Sequence, residues 1–279
     1  MQKYFHTFAP MKKEMENFEK VFREVLSSEA LPMDDVLAYV ASVKGKRLRP
    51  TLVFLSARLF GEVNESTRRT ALFVELLHTA TLIHDDVVDG SDIRRGQASV
   101  NARWSNKSAV LVGDYLLSKA MLLLSDSSDH FILKEMLDVA MKMSEGEMMQ
   151  SGEVRGERLE VRGGREMAYL DIITRKTAWL IRSCCVCGAL SVLSEKTEDR
   201  SRKLELVGDF GLNLGMVFQM RDDILDADDV ESVAFAKKLL PKYLDKTLMA
   251  LDALIPYTIN QDALASLKEL TMFCAERNQ

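Results

Sequence analysis

The chain has 279 residues, 47% of them hydrophobic and 28% charged, with a formal net charge of −5 at pH 7 and an isoelectric point near 5.6. A surface of that sign excludes non-specific binding to nucleic acid or to anionic lipid, because both need a basic face. With only 14 glycines and 5 prolines, few turns are obligatory, and the composition favours long helices around a sizeable core.

The opening stretch, MQKYFHTFAPMKKEMENFEKVF, carries charge too often for a secretory signal and has no small-residue cleavage pattern, so export is not expected. Helical spacing of apolar residues then recurs along the chain without convincing runs of strand alternation, and the fold class is all-α. The segment PTLVFLSARLFG (50–61) is punctuated by Pro50 as first helical residue and Gly61 as stop. A long helix spans 68–89, with Leu72, Leu76, Thr79 and Ile83 on one stripe, and others span 108–125, 131–153, 165–193 and 198–229. Gly-rich VRGGR (161–165) reads as a loop. The longest apolar run, TAWLIRSCCVCGALSVL (177–193), contains Arg182 and falls short of the roughly 20 residues of a bilayer span, so it reads as a buried helix. Cys184, Cys185 and Cys187 lie inside it, and with Cys274 they read as reduced core cysteines of a cytoplasmic protein. No linker or repeat interrupts the chain, which points to a single helical domain over 1–279.

Asp85 and Asp89 are four apart and share one helix face, with Asp86 beside them. Like charges at that spacing repel, so the cluster asks for a cation. RDDILD repeats the spacing with Asp222, Asp223 and Asp226, again after an apolar helix. Hard oxygen ligands of this kind suit magnesium, which keeps several waters and shares its shell with substrate phosphates. Arg94 and Arg95 follow the first cluster, and GKRLRP supplies Lys46, Arg47 and Arg49 next to a helix N-terminus, a favourable place for a diphosphate. His78, Lys176, Thr177 and Gln219 are polar interruptions of apolar helices and are candidates to line a cavity between helices.

Five motifs, GKRLRP, HTATLIHDDVVDGSDIRRG, LVGDYLLSKA, RKTAWLI and FQMRDDILD, occur in order over about residues 40–229. In identity, order and separation the set resembles the trans-isoprenyl diphosphate synthase (polyprenyl synthetase) family, in particular its long-chain members such as octaprenyl and heptaprenyl diphosphate synthases. The resemblance implies an isoprenoid synthase type helical bundle around a central cavity with both Asp-rich motifs at its mouth. It implies that Asp85, Asp89 and Asp222 ligate as many as about three magnesium ions on the diphosphate of an allylic primer, supported by Asp86, Asp223 and Asp226. Arg94 would contact the primer's diphosphate, and Lys46, Arg49, His78 and Arg95 would hold that of isopentenyl diphosphate. Lys176, Thr177 and Gln219 would lie near the departing diphosphate and the allylic cation. The implied reaction is successive head-to-tail (1′-4) prenyl transfer to a medium or long all-trans product.

In this family a bulky aromatic four or five residues before the first Asp closes the product tunnel early. Here those positions are Thr81 and Ala80, so the tunnel is expected to stay open. Phe73 lies about 10 Å deeper at 1.5 Å per residue and is the expected floor. A homodimer, and peripheral membrane contact for product release, are further expectations of the resemblance.

One departure from the family pattern follows DDILDADD. The family's Gly-Lys segment is missing after about residue 229, and the reading is of a lid loop left out of the sequence rather than a chain that works without it. A true deletion would favour a partner subunit of a heteromeric synthase. The intact Asp-rich pair argues against that reading, and the second DDxxD argues against a terpene cyclase.

Overall fold

The computed structural model describes residues 11–43, 45–125, 130–151, 164–227 and 229–277. Over these the chain forms α1 (Lys12–Val25), α2 (Leu31–Ser42), α3 (Leu48–Phe60) and α4 (Glu65–Val88), then a two-stranded antiparallel hairpin, β1 (Ile93–Arg94) and β2 (Gln97–Ala98). There follow the short α5 (Val100–Arg103), α6 (Asn106–Ser125), α7 (His130–Ser151) and α8 (Gly164–Ile173). A π-helical turn (Thr174–Ala178) then leads directly into α9 (Trp179–Leu190). The chain ends with α10 (Arg200–Asp226), α11 (Val230–Leu254), a 3₁₀ turn (Ile255–Tyr257) and α12 (Gln261–Glu276). The all-α expectation holds. The VRGGR loop lies mostly outside the described residues, and its last two residues open α8.

Helices α3 and α9 pack on each other at the centre, with α4, α7 and α10 around them. Leu52, Val53, Leu55, Ala57 and Leu59 of α3 are fully buried, as are Leu180, Ile181, Cys184, Cys185 and Cys187 of α9. A helix apolar on all sides has no solvent face, so it takes the interior. Gly188 of α9 permits the close crossing, since a Cβ there would stand 2.3 Å from the Val53 carbonyl oxygen. All four cysteines are free and buried, and burial pushes their thiols up, Cys185 and Cys274 to about 12. They are inert core groups.

Four local features differ from the sequence expectations. Helix α3 starts at Leu48, two residues before Pro50. Proline is tolerated there because amides in a first turn have no intrahelical acceptor. The helix expected over 165–193 is broken into α8, the π turn and α9. The hairpin at 93–98 carries no alternating pattern long enough to see; its turn is made by Arg95 and Gly96, both at positive φ, 53° and 76°. Finally, α10 ends at Asp226 and α11 begins at Val230, so the link at the expected lid position is three residues long.

Candidate active site

Both Asp-rich motifs stand at helix C-termini. Asp85 and Asp86 lie in the last turn of α4 and Asp89 is its C-cap; Asp222, Asp223 and Asp226 lie in the last turns of α10. The negative end of each helix dipole adds to the carboxylates' own repulsion, so each end needs positive charge.

The two middle aspartates are already satisfied within the protein. Asp86 is 3% exposed and its Oδ1 accepts from Nε of Arg94 at 2.7 Å and also from Nη2. Asp223 accepts from the Tyr169 hydroxyl at 2.6 Å and from Gln219 Nε2 at 2.9 Å. Asp85, Asp89 and Asp226, by contrast, make no side-chain hydrogen bond or ion pair among the described residues. Burial and the nearby Glu147 carboxylate push Asp85 up to about 6, against the pull of Lys176. Asp222 pairs with Arg277 at 2.6 Å, yet burial still raises its pKa.

The π turn joins the two motifs. Lys176 bonds Glu147 of α7 at 2.7 Å and Gln150 at 2.9 Å, within electrostatic reach of Asp85. Its neighbour Thr177 donates to Gln219 Oε1 at 2.7 Å, and Gln219 in turn donates to Asp223. The π turn inserts one residue more than an α-helical turn, which shifts the side chains after it out of register with those before it. Glycines clamp it on two sides. A Cβ on Gly146 of α7 would meet Lys176 N at 2.8 Å, and one on Gly215 of α10 would meet the Ala178 Cα at 2.5 Å.

A basic cradle completes the ring. Arg49 Nη1 donates to His78 Nε2 at 2.9 Å. An arginine can only donate, so the His78 proton resides on Nδ1. Burial first, and then the field of Arg49, Arg95, Arg94 and Arg47, pushes the His78 pKa well below its ordinary value, so the ring is neutral. Arg49 Nε is buried without a hydrogen-bond partner among the described residues, a donor that an anion could answer. Both Lys46 and Arg49 lie within electrostatic reach of Asp222, and the hairpin brings Arg95 against the 45–49 turn. The predicted residues Lys46, Arg49, His78, Arg94, Arg95, Lys176, Thr177 and Gln219 thus converge with both Asp-rich motifs.

A family model described as polyprenyl synthetase matches residues 32–239. The chain belongs to the polyprenyl synthetase family. Among curated relatives it is 36% identical over 219 residues to an all-trans-nonaprenyl-diphosphate synthase (geranyl-diphosphate specific) of Rhodobacter capsulatus, covering 78% of this chain and 64% of that one. It is 34% identical over 203 residues to octaprenyl diphosphate synthase of Escherichia coli, covering 73% of this chain and 60% of that one. The chain therefore spans about three fifths of the length of these relatives. Among solved structures, a polyprenyl synthase from Caulobacter crescentus, complexed with calcium and isoprenyl diphosphate, superposes with a TM-score of 0.82 at 26% identity. That likeness covers 99% of this chain and 98% of the other. A geranyltranstransferase from Thermotoga maritima has a TM-score of 0.79 at 28% identity, covering 95% and 99%.

Within this candidate site, three residues carry no signal in the sequence. Glu147 and Tyr169 are revealed only by their partners Lys176 and Asp223, from other helices. Arg277 reaches Asp222 from 55 positions further along the chain, far outside the window in which sequence periodicity is read. Among the described residues no three His, Cys, Asp or Glu side chains form a ready-made metal cluster.

Proposed function

We propose that this polyprenyl synthetase is a magnesium-dependent trans-polyprenyl diphosphate synthase. It condenses an allylic diphosphate with isopentenyl diphosphate in successive head-to-tail (1′-4) additions to give a medium or long all-trans polyprenyl diphosphate. The observation that carries this reading is the meeting of two charge systems: two Asp-rich helix ends joined by one π turn, and a basic cradle whose buried Arg49 Nε has no partner among the described residues and which lies within electrostatic reach of Asp222.

The donor set fits magnesium. Its members are hard carboxylate oxygens, the type that suits an ion taking the rest of its shell from water and substrate phosphate, and among the described residues Asp85 and Asp89 have no side-chain partner. Asp85, Asp89 and Asp222 would hold the ions. Bound magnesium supplies positive charge that stabilises the leaving diphosphate.

The chain's own residues account for the other requirements. Asp86 and Asp223 hold Arg94 and Gln219 in place. Lys176 adds positive charge beside the departing diphosphate, and the Thr177–Gln219 pair presents polar atoms to the allylic carbon. Lys46, Arg49, Arg95 and the Nδ1–H of His78 donate to the diphosphate of isopentenyl diphosphate, with the double bond left free to attack. Apolar walls keep water from the cation.

Product length is set along α4, where Ala80 is 2% exposed, Thr81 half-buried and Phe73 1% exposed. The small side chains at 80 and 81 leave room that Phe73 closes. Helix α6 is apolar and long enough to cross a membrane by length and composition. Its inner side packs on α4, while Val110, Leu111 and Leu122 stay exposed. We assign this face to a homodimer contact of a cytoplasmic enzyme, whose mass sedimentation equilibrium reads directly; a monomer would remove the assignment. Release of the product by peripheral membrane contact is part of the same reading, tested by product transfer to vesicles.

The test of activity is incubation with magnesium, farnesyl diphosphate and labelled isopentenyl diphosphate, with products resolved by length. The expected outcome is a ladder ending at one long product. No incorporation would overturn the synthase reading.

A further inference from the structure

Arg47 sits between Lys46 and Arg49 in sequence but points elsewhere. It precedes α3 with left-handed backbone, φ 50° and ψ 35°, a conformation a non-glycine residue keeps only when tertiary contacts hold it. Those contacts are visible. Its Nη1 donates to Glu75 Oε1 of α4 at 2.7 Å, and its Nε donates to Glu19 Oε1 of α1 at 2.7 Å. Nη2 reaches Glu19 Oε2 at 3.3 Å, and the guanidinium lies over the Phe22 ring, 4.5 Å from its centroid. The Arg47 carbonyl accepts from both N and Oγ1 of Thr51, closing the first turn of α3. On the other side, a Cβ at Gly45 would stand 2.8 Å from Arg95 Nη1 and 3.1 Å from Arg47 Nη1. Strut, turn and hairpin tip therefore approach one another closely at Gly45.

Glu75 lies in the middle of the apolar stretch TALFVELLHTA and is 3% exposed. Arg47, Arg49 and Arg95 all feel its charge. Three guanidiniums so close together repel when no ligand is bound, and Glu75 is the buried anion that offsets them.

We infer that Arg47 and Glu75 are a positioning pair for the second diphosphate site: Arg47 ties the 45–49 turn to α4 and α1, and Glu75 keeps the arginine cluster assembled until isopentenyl diphosphate arrives. The inference rests on the synthase reading above. Neither residue touches substrate; both act through Lys46, Arg49 and Arg95.

The test uses Arg47→Gly, which accepts the left-handed backbone and removes only the strut, together with Glu75→Gln and the milder Arg47→Lys. Steady-state constants are measured for both substrates, and melting is followed by circular dichroism. The expected result is a rise in KM for isopentenyl diphosphate of about tenfold or more in Arg47→Gly and Glu75→Gln, with KM for farnesyl diphosphate within about twofold. Arg47→Lys should fall between, because an ammonium cannot fork to two carboxylates in the same plane.

A lowered melting temperature with both KM values unchanged would make the pair merely structural and overturn the inference, as would equal rises in both. A fall in KM for isopentenyl diphosphate would show that Glu75 only neutralises the cradle, and would overturn it too. Should the stronger variants fail to fold, the ratio of the two KM values in Arg47→Lys decides. Calorimetric binding of isopentenyl diphosphate to metal-free protein separates this inference from the synthase reading. Binding by the unmodified chain that Glu75→Gln weakens supports the positioning pair even if no primer is elongated; equal binding by both sinks it.

Discussion

Tyr169 and Asp223 lie 54 positions apart and meet through a hydrogen bond of 2.6 Å between the phenol and the Oδ2 carboxylate oxygen. With Gln219 on the other oxygen, Asp223 has no oxygen free of a protein donor. In the first motif Asp86 is held by Arg94, through Oδ1 alone. In each DD pair the second aspartate thus takes donors from the protein, while the first pair's Asp85 has no side-chain partner among the described residues and the second pair's Asp222 meets Arg277.

Tyr169→Phe tests this division of labour. The substitution leaves Asp223 one donor short in a partly buried place, which should cost about 2 kcal/mol of stability. The magnesium concentration for half-maximal turnover should rise by about tenfold or more, since removing a group that orients a ligand typically has that effect. An unchanged magnesium dependence would show that the phenol serves packing alone.

Asp85 makes metal-free stability depend on pH in an unusual direction. Its carboxyl is pushed from 3.8 up to about 6 by burial and by Glu147, so between those values the folded state holds more protons than the unfolded state. Stability from this group therefore falls as pH rises through that window, and the penalty is complete above about pH 6, on the order of 2 kcal/mol once partial exposure is allowed for. Magnesium should raise the melting temperature more at pH 7.5 than at pH 5, where protons compete for the same oxygens. Asp85→Asn should be more stable than the unmodified metal-free protein at neutral pH and should lose most of the magnesium effect. Melting curves with and without magnesium at the two pH values check both statements; a magnesium effect as large at pH 5 as at pH 7.5 would contradict them.

Product length offers an independent check on α4. Thr81→Phe places an aromatic ring one turn below Asp85 and should shift the products toward the shortest chains. Phe73→Leu should move the end of the ladder by one or more isoprene units upward, at a stability cost of about 1–2 kcal/mol; the leucine is chosen because alanine at so buried a position would open a larger cavity. If Phe73→Leu leaves the product distribution unchanged, the floor lies elsewhere.

The sequence by itself determined the features that depend on neighbours in the chain. Apolar spacing near 3.6 marked the helices, because every turn of a buried helix repeats the same demand on its own side chains. The i, i+4 aspartates of both motifs and the basic cluster of GKRLRP were legible for the same reason.

Tertiary structure decided which way these groups face and what they meet. Asp86 and Asp223 have the same local pattern as Asp85 and Asp222, and only the hairpin carrying Arg94 and the helix carrying Tyr169 set them apart. Arg47 reads like Lys46 and Arg49 in one dimension, yet it turns toward Glu19 and Glu75, 28 positions away on either side. Lys176 and Thr177, neighbours in the π turn, go to opposite motifs, and the glycines that let α7 and α10 approach that turn, Gly146 and Gly215, lie far from it in sequence. A charge in sequence announces only that a partner is needed; packing of distant helices selects the partner, because desolvation makes every unpaired alternative too unfavourable.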